Sequence, residues 1–172
     1  MKRLYIGIDP GPQTSGLVVY EHQPRGMRIA GRGRVIHSNK AATLPDIREL
    51  LKLSRTDGSV TVVLERTQAG PPSGAVVETT MVVGRILERC LALGLPCDTY
   101  YRRDVLQALG CALKGNKDSL VRHALIELHG GTKRIACGTK ASPGPLYGVS
   151  SHAWQALGVV VAHIMPWVRA DG

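Results

Sequence analysis

Phenylalanine is absent from this chain of 172 residues, and aromatic residues make up only 4% of it. The chain also lacks an apolar run of about 18 residues, the length that a membrane-spanning helix needs. No small-residue cleavage site lies between Met1 and the apolar run that ends at Asp9, so no secretory signal is expected. No internal repeat or linker divides the chain. These absences predict one soluble, cytoplasmic domain spanning residues 1–172, long enough to bury a core.

Paired cysteines are also missing from the chain. Cys90, Cys97, Cys111 and Cys137 include no Cys-x-x-Cys spacing. We therefore expect the free thiols of a cytosolic protein rather than a zinc site or disulfides.

Acidic residues are outnumbered, with 13 Asp and Glu against 22 Lys and Arg, which gives a formal net charge of +9. This surplus favours a polyanionic partner, either nucleic acid or an anionic membrane surface, although a solvated basic face has the same composition. The clustering of the cations favours nucleic acid. The clusters comprise Arg25, Arg28, Arg32, Arg34, Arg102, Arg103, Lys114, Lys117, Arg122, Lys133, Arg134 and Lys140.

The order of apolar patterns predicts an α/β domain with a mixed sheet of about five strands flanked by helices. Gly11–Gly16 is a turn, so the first two strands should form a hairpin. The long amphipathic helix that begins near Ala75 either supplies an interface between two copies or belongs to the core. The predicted elements are strands at 4–9, 17–20, 27–37, 60–65 and 97–101, helices at 45–53, 75–93, 104–112 and 118–129, and a last helix with Ser150 or Ser151 as its N-cap that runs to Ile164.

Two apolar, β-branched runs end on a carboxylate. Leu4–Ile8 precedes Asp9, and Val60–Leu64 precedes Glu65. Strands of nearly continuous apolar character are buried, so an acidic residue at the end of each is expected to have a chemical role rather than to improve solubility. The alternatives are a turn-capping Asp9 before Pro10-Gly11 and a solvated Glu65. If the two strands are neighbours, their ends present paired carboxylates to a metal ion.

Three segments, in order along the chain, resemble those of one nuclease family. Ile6–Gly11, followed by a small-residue turn and Gly16, is similar to its opening strand. The strand that ends at Glu65 is similar to its second acidic site, and His152–His163 to its ligand-bearing C-terminal helix. The family is that of the RuvC Holliday junction resolvases, in the ribonuclease H-like superfamily. Gly144–Gly148 and the residues around it look most like a RuvC-like branch of phages and bacterial genomes, which for a phage protein implies the host cytoplasm.

The resemblance implies a ribonuclease H-like sheet and a metal-dependent endonuclease for branched DNA, above all four-way (Holliday) junctions. Phosphodiester hydrolysis in this superfamily uses two divalent ions, so the implied cofactor is Mg²⁺ or Mn²⁺, with two ions per active site. Symmetric cutting of a four-way junction needs two active sites, which implies a homodimer.

Carried over residue by residue, the resemblance makes Asp9 the bridging metal ligand, with Glu65 and His152 beside it. RuvC enzymes usually carry a second acid three residues after the position of His152, whereas this chain has Gln155, so negative charge is lost there. Asp118 is the candidate to replace it, although an Asp near a helix start is often only an N-cap. Lys117, with Lys114 as its rival, lies where these enzymes carry a catalytic lysine near the scissile phosphate.

A second departure concerns recognition of the junction. RuvC proteins typically place an aromatic residue a few positions after the glutamate, and the stretch 66–72 contains none. The chain therefore lacks at this place the aromatic side chain that can stack at a distorted crossover. With Gln155, the departure leaves open a second interpretation, an inactive relative that binds branched DNA without cutting it. In either case basic residues would follow the DNA phosphates, the candidates being Lys114, Lys117, Arg122, Lys133, Arg134 and Lys140.

Overall fold

The computed structural model describes residues 2–22, 33–55, 60–67, 73–111 and 117–165, with only the backbone of Lys117. Lys114, Arg25, Arg28, Arg32 and the predicted strand segment at 27–32 lie outside the described residues. Five strands form one sheet in the order β3-β2-β1-β4-β5. The strands are β1 (Arg3–Asp9), β2 (Ser15–His22), β3 (Gly33–Ala42), β4 (Val60–Arg66) and β5 (Cys97–Tyr101).

The sheet is mixed, as the sequence predicted. β1 pairs antiparallel with β2, which pairs antiparallel with β3, so the predicted hairpin is confirmed. On its other side β1 runs parallel to β4, and β4 runs parallel to β5. The carboxyl ends of β1, β4 and β5 therefore lie at one edge of the sheet.

Helices cover both faces of the sheet. They are α1 (Leu44–Ser54), α2 (Gly74–Leu93), α3 (Arg102–Ala108), α4 (Lys117–Leu128), α5 (Lys133–Ala136) and α6 (Ala153–Ile164). The side chain of Thr43 caps α1 by accepting from the amide of Asp46, and Gly94 ends α2 in the left-handed conformation with φ 68°.

Alternation along the strands divides the core between the two faces. Ile6 and Ile8 pack toward α1 and α2, whereas Tyr5 packs with Leu157 of α6 on the opposite face. Every residue of α6 from Ala153 to Ala162 is buried, because the helix lies between the sheet and helices α3 and α4.

Several predicted boundaries are wrong. β3 continues to Ala42, α3 begins at Arg102 rather than at 104 and ends at Ala108, and the short helix α5 was not predicted. The N-cap of α6 is His152 and not a serine. Ser151 has a φ of 46°, and it is the backbone carbonyl oxygens of Ser150 and Ser151 that accept from the first amides of the helix.

In the described part of the chain, Cys90, Cys97, Cys111 and Cys137 are all free thiols, as expected. Within the described ranges, no helix is long and apolar enough to cross a membrane. The five-stranded mixed sheet between helices is the ribonuclease H-like architecture that was predicted.

Candidate active site

Asp9 is the last residue of the central strand β1, and its side chain is only 17% exposed. Burial raises the pKa of this carboxyl from 3.8 to about 6, against the lowering effect of Arg102 and with a further rise from Asp118. The ionised carboxylate of Asp9 is therefore only partly hydrated. A carboxylate of this kind gains stability when a cation neutralises it.

Glu65 lies at the same edge of the sheet. In the parallel register Ile8 is paired with Leu64. Asp9 and Glu65 are the next residues of the two strands, so they lie side by side at the ends of neighbouring strands. Burial raises the pKa of Glu65 to about 7; Arg102 opposes the rise, and repulsion from Asp9 adds to it. The predicted pair of carboxylates is thus present at one sheet edge.

His152 approaches this pair from the beginning of α6. Its Nδ1 lies 3.6 Å from Oδ2 of Asp9, and its side chain is 69% exposed. Two glycines permit the approach: a Cβ at Gly7 would overlap the carbonyl oxygen of Ala156, and one at Gly16 would overlap that of His152. The helix can therefore lie directly on strands β1 and β2.

Arg102 was not predicted as part of the site, yet its guanidinium lies at the centre. Nη1 donates to Oε2 of Glu65 at 3.0 Å and also to Oε1 of Gln155, while Nη2 donates to Oδ1 of Asp118. A signal for it was present in the sequence, since Arg102 directly follows β5 and the two carboxylates lie at the carboxyl ends of β1 and β4. From the sequence, Arg102 is grouped only with the basic clusters.

Asp118 and Gln155 are both in contact with this arginine, from α4 and α6 respectively. Asp118 is the second residue of α4 and its side chain is 71% exposed, whereas Gln155 is only 5% exposed. Gln155 is the polar interruption in an otherwise apolar, buried stretch of helix. Its amide oxygen therefore serves as an acceptor for Arg102 inside the protein.

An open cleft of about 450 Å³ is lined by Asp9, Arg102, Asp118, His152 and Gln155 together with the turn at 10–14. A second cleft of about 490 Å³ shares three of those residues and is lined also by Arg122. The Arg122 guanidinium lies 5.4 Å from the centre of the Trp154 ring, a cation–π distance. Of the other candidate DNA-binding residues, Lys133 and Arg134 belong to α5 and Lys140 to the turn that follows, and all three are exposed and line neither cleft.

The donor set fits a hard divalent cation in part. Oxygen atoms of Asp9 and Glu65, with the imidazole of His152, are donors that Mg²⁺ or Mn²⁺ accepts. However, within the described residues no group of three or more His, Cys, Asp or Glu side chains is already arranged to hold a metal ion. Arg102 lies between Glu65 and Asp118, where two carboxylates would otherwise converge. The residues fit one ion beside Asp9 more readily than two.

The five-stranded sheet with its flanking helices has the ribonuclease H-like fold, and acidic residues lie at the carboxyl ends of β1 and β4. The structure of Thermus thermophilus RuvC matches this chain with a TM-score of 0.67 and 20% identity, over 93% of this chain and 92% of that one. T. thermophilus RuvC in complex with a Holliday junction substrate matches with a TM-score of 0.67 and 18% identity, over 95% and 93% of the two chains. No family model and no curated protein sequence matches the chain. The chain has the RuvC-like fold, so the resemblance stated from the sequence is confirmed at the level of the fold.

Proposed function

We propose that the protein is a metal-dependent endonuclease that cleaves branched DNA, with four-way junctions as its main substrate. The observation that carries the proposal is the meeting of Asp9, Glu65, His152 and Asp118 at one edge of the sheet, although they come from four separate elements or their caps. The RuvC-like fold supports the same class of activity.

Asp9 and Glu65 would hold Mg²⁺ or Mn²⁺, with His152 as a neutral nitrogen ligand and Asp118 as a further carboxylate. When bound, such an ion lowers the pKa of water and stabilises the charge that develops on the phosphate. Burial of the two carboxylates disfavours their ionised forms in the absence of a cation, so cation binding relieves an unfavourable charge. The exposed side of His152 leaves the cleft open to a DNA strand.

Phosphate contacts would come from basic residues around the cleft. Arg122 is proposed for such a contact because it lines the second cleft together with Asp118 and its guanidinium lies over the Trp154 ring. Lys117 precedes Asp118, and Lys114 is its rival for the same contact. Lys133, Arg134 and Lys140 are exposed and suit phosphates further along the DNA arms.

A homodimer is the assembly that we propose for symmetric cutting. One face of α2 is buried in the core through Val83 and Ile86, so the core interpretation of this helix holds for that face. Another face exposes Val77, Met81 and Leu91. Met81→Arg should convert the dimer to a monomer without disturbing Asp9, Glu65, His152 and Asp118, as measured by sedimentation velocity. A wild-type protein that sediments as a monomer would refute the proposed homodimer.

The decisive experiment is cleavage of four-way junctions, flaps and linear duplex DNA in the presence of Mg²⁺ or Mn²⁺. We expect cuts at the branch of the four-way junction and little cutting of duplex. Asp9→Asn is the matched control, because it preserves shape while removing the central charge. Cleavage by Asp9→Asn at the wild-type rate would remove the carboxylate cluster from the mechanism.

A second candidate function is branched-DNA binding without cleavage. It is favoured by the neutral Gln155 and by Arg102, which already neutralises part of the acidic cluster. Gel-shift and cleavage measurements on the same junction separate the two functions. Tight, junction-selective binding without cleavage at any Mg²⁺ or Mn²⁺ concentration would establish the second candidate.

A further inference from the structure

Arg102 is the only cation that the described structure places among the cluster of carboxylates formed by Asp9, Glu65 and Asp118. Its side chain is 19% exposed and donates to three different partners with two of its nitrogen atoms. A guanidinium is charged at all physiological pH values and carries only donors, so its partners must be acceptors. Two of the three partners are carboxylates.

The backbone around Arg102 is held in place from several sides. Glu65 pairs with Tyr100 and Arg66 with Tyr101 in the parallel ladder between β4 and β5. The Arg66 guanidinium also lies 5.1 Å from the centre of the Tyr101 ring. The amide of Tyr101 donates to Oδ2 of Asp104 at 3.1 Å, which fixes the start of α3. The backbone at Arg102 is therefore fixed, and the side chain extends from it into the cluster.

The side chain of Gln155 is better suited to a hydrogen bond with an arginine than to coordination of a metal ion. Its buried amide oxygen accepts from Nη1 of Arg102, and its side chain brings no charge. A carboxylate at position 155 would add a fourth negative charge to the cluster. With glutamine there, the three carboxylates are neutralised by the guanidinium and one divalent ion, whereas two divalent ions and the guanidinium would leave the cluster strongly positive.

We infer that Arg102 takes the place of a second metal ion, so that each chain binds one divalent ion beside Asp9 and Arg102 supplies the remaining positive charge. This inference rests on the proposed function, and it replaces the two ions that the family resemblance implies. Arg102 acts here as the residue that sets the number of ions. Gln155 then has the role of orienting the guanidinium between Glu65 and Asp118.

The test is the number of Mn²⁺ ions bound per chain in the absence of DNA, measured by isothermal titration and by the loss of the free-ion electron paramagnetic resonance signal. Wild-type protein should bind one ion. Arg102→Gln should bind two, because Glu65 and Asp118 lose their shared counter-ion, and its first ion should bind at least about tenfold more tightly. Arg102→Lys retains the charge and should bind one ion.

Arg103→Gln is the matched control, since it removes one positive charge from the adjacent, exposed position. It should bind one ion with the wild-type affinity. Melting curves of each variant confirm that the counted protein is folded. Two ions on the wild-type protein, or one ion on Arg102→Gln with unchanged affinity, would overturn the inference.

Failure of the proposed function has a different signature. In that case neither the wild type nor Asp9→Asn binds an ion at micromolar to millimolar concentrations, and the wild type cuts no junction. Failure of the inference alone leaves Asp9-dependent ion binding and cleavage in place and changes only the ion count.

Discussion

Replacing Asp9 by asparagine should make the metal-free protein more stable while it abolishes cleavage. The folded state raises the pKa of Asp9 from 3.8 to about 6, so the folded protein holds this proton more tightly than the unfolded chain does. The resulting stabilisation is present at low pH and is lost as the pH rises through about 6. At pH 8 the ionised carboxylate therefore lowers the free energy of unfolding by about 3 kcal/mol, which corresponds to the rise of the Asp9 pKa from 3.8 to about 6. Asparagine has nearly the same shape and carries no such charge.

Chemical denaturation in the presence of a chelator, at pH 8 and at pH 4.5, measures the effect. We expect Asp9→Asn to raise the free energy of unfolding at pH 8 by about 1–3 kcal/mol and the melting temperature by about 2–4 °C for each kcal/mol. At pH 4.5 the carboxyl is largely protonated in the folded protein but still mostly ionised in the unfolded chain, so the gain should fall to about one third of its value at pH 8. A variant that is destabilised at pH 8, or equally affected at both pH values, would refute the idea that this carboxylate is held at an energetic cost.

Three further predictions concern other parts of the site and the core. Asp118→Asn should weaken Mn²⁺-dependent cleavage far more than stability, because it removes a proposed metal ligand whose side chain is 71% exposed. Gly16→Ala should lower both cleavage and stability, by about 1–3 kcal/mol for stability, since the added Cβ would overlap the backbone beneath His152. Tyr20→Phe should cost about 1–3 kcal/mol, because it leaves the buried Nε2 of His129, now 2.8 Å from the tyrosine hydroxyl, without a donor.

Each of these predictions has a control or a result that would contradict it. For Asp118, unchanged metal dependence with a lowered melting temperature would make it only a helix-stabilising residue. Gly74→Ala controls for the glycine substitution, since nothing lies within 4 Å of its added Cβ. Burial lowers the pKa of His129, so the wild type should lose stability as the pH falls below about 6.5, and His129→Gln should reduce that loss. An unchanged pH profile would contradict the assignment.

Much of the fold could be predicted because its signals are local. The strands ending at Asp9 and Glu65 are short β-branched runs, and a turn rich in glycine and proline joins β1 to β2. The start of α6 could not be predicted in the same way. Ser150 and Ser151 resemble N-caps by residue type, but a backbone turn with positive φ at Ser151 moves the helix start to Ala153.

The candidate ligands could be proposed from the sequence because strand ends and a family resemblance identify them one at a time. Arg102 could not, since a basic residue beside Arg103 in a chain of net charge +9 has the composition of a DNA-binding surface. Its position depends on β5 lying next to β4, and its orientation depends on acceptors from three other elements. The sequence by itself thus determined that β1 and β4 form as buried strands and which carboxylates lie at their ends. Only the tertiary structure decided which charges face one another, because distance between charges depends on strand order and helix packing rather than on position along the chain.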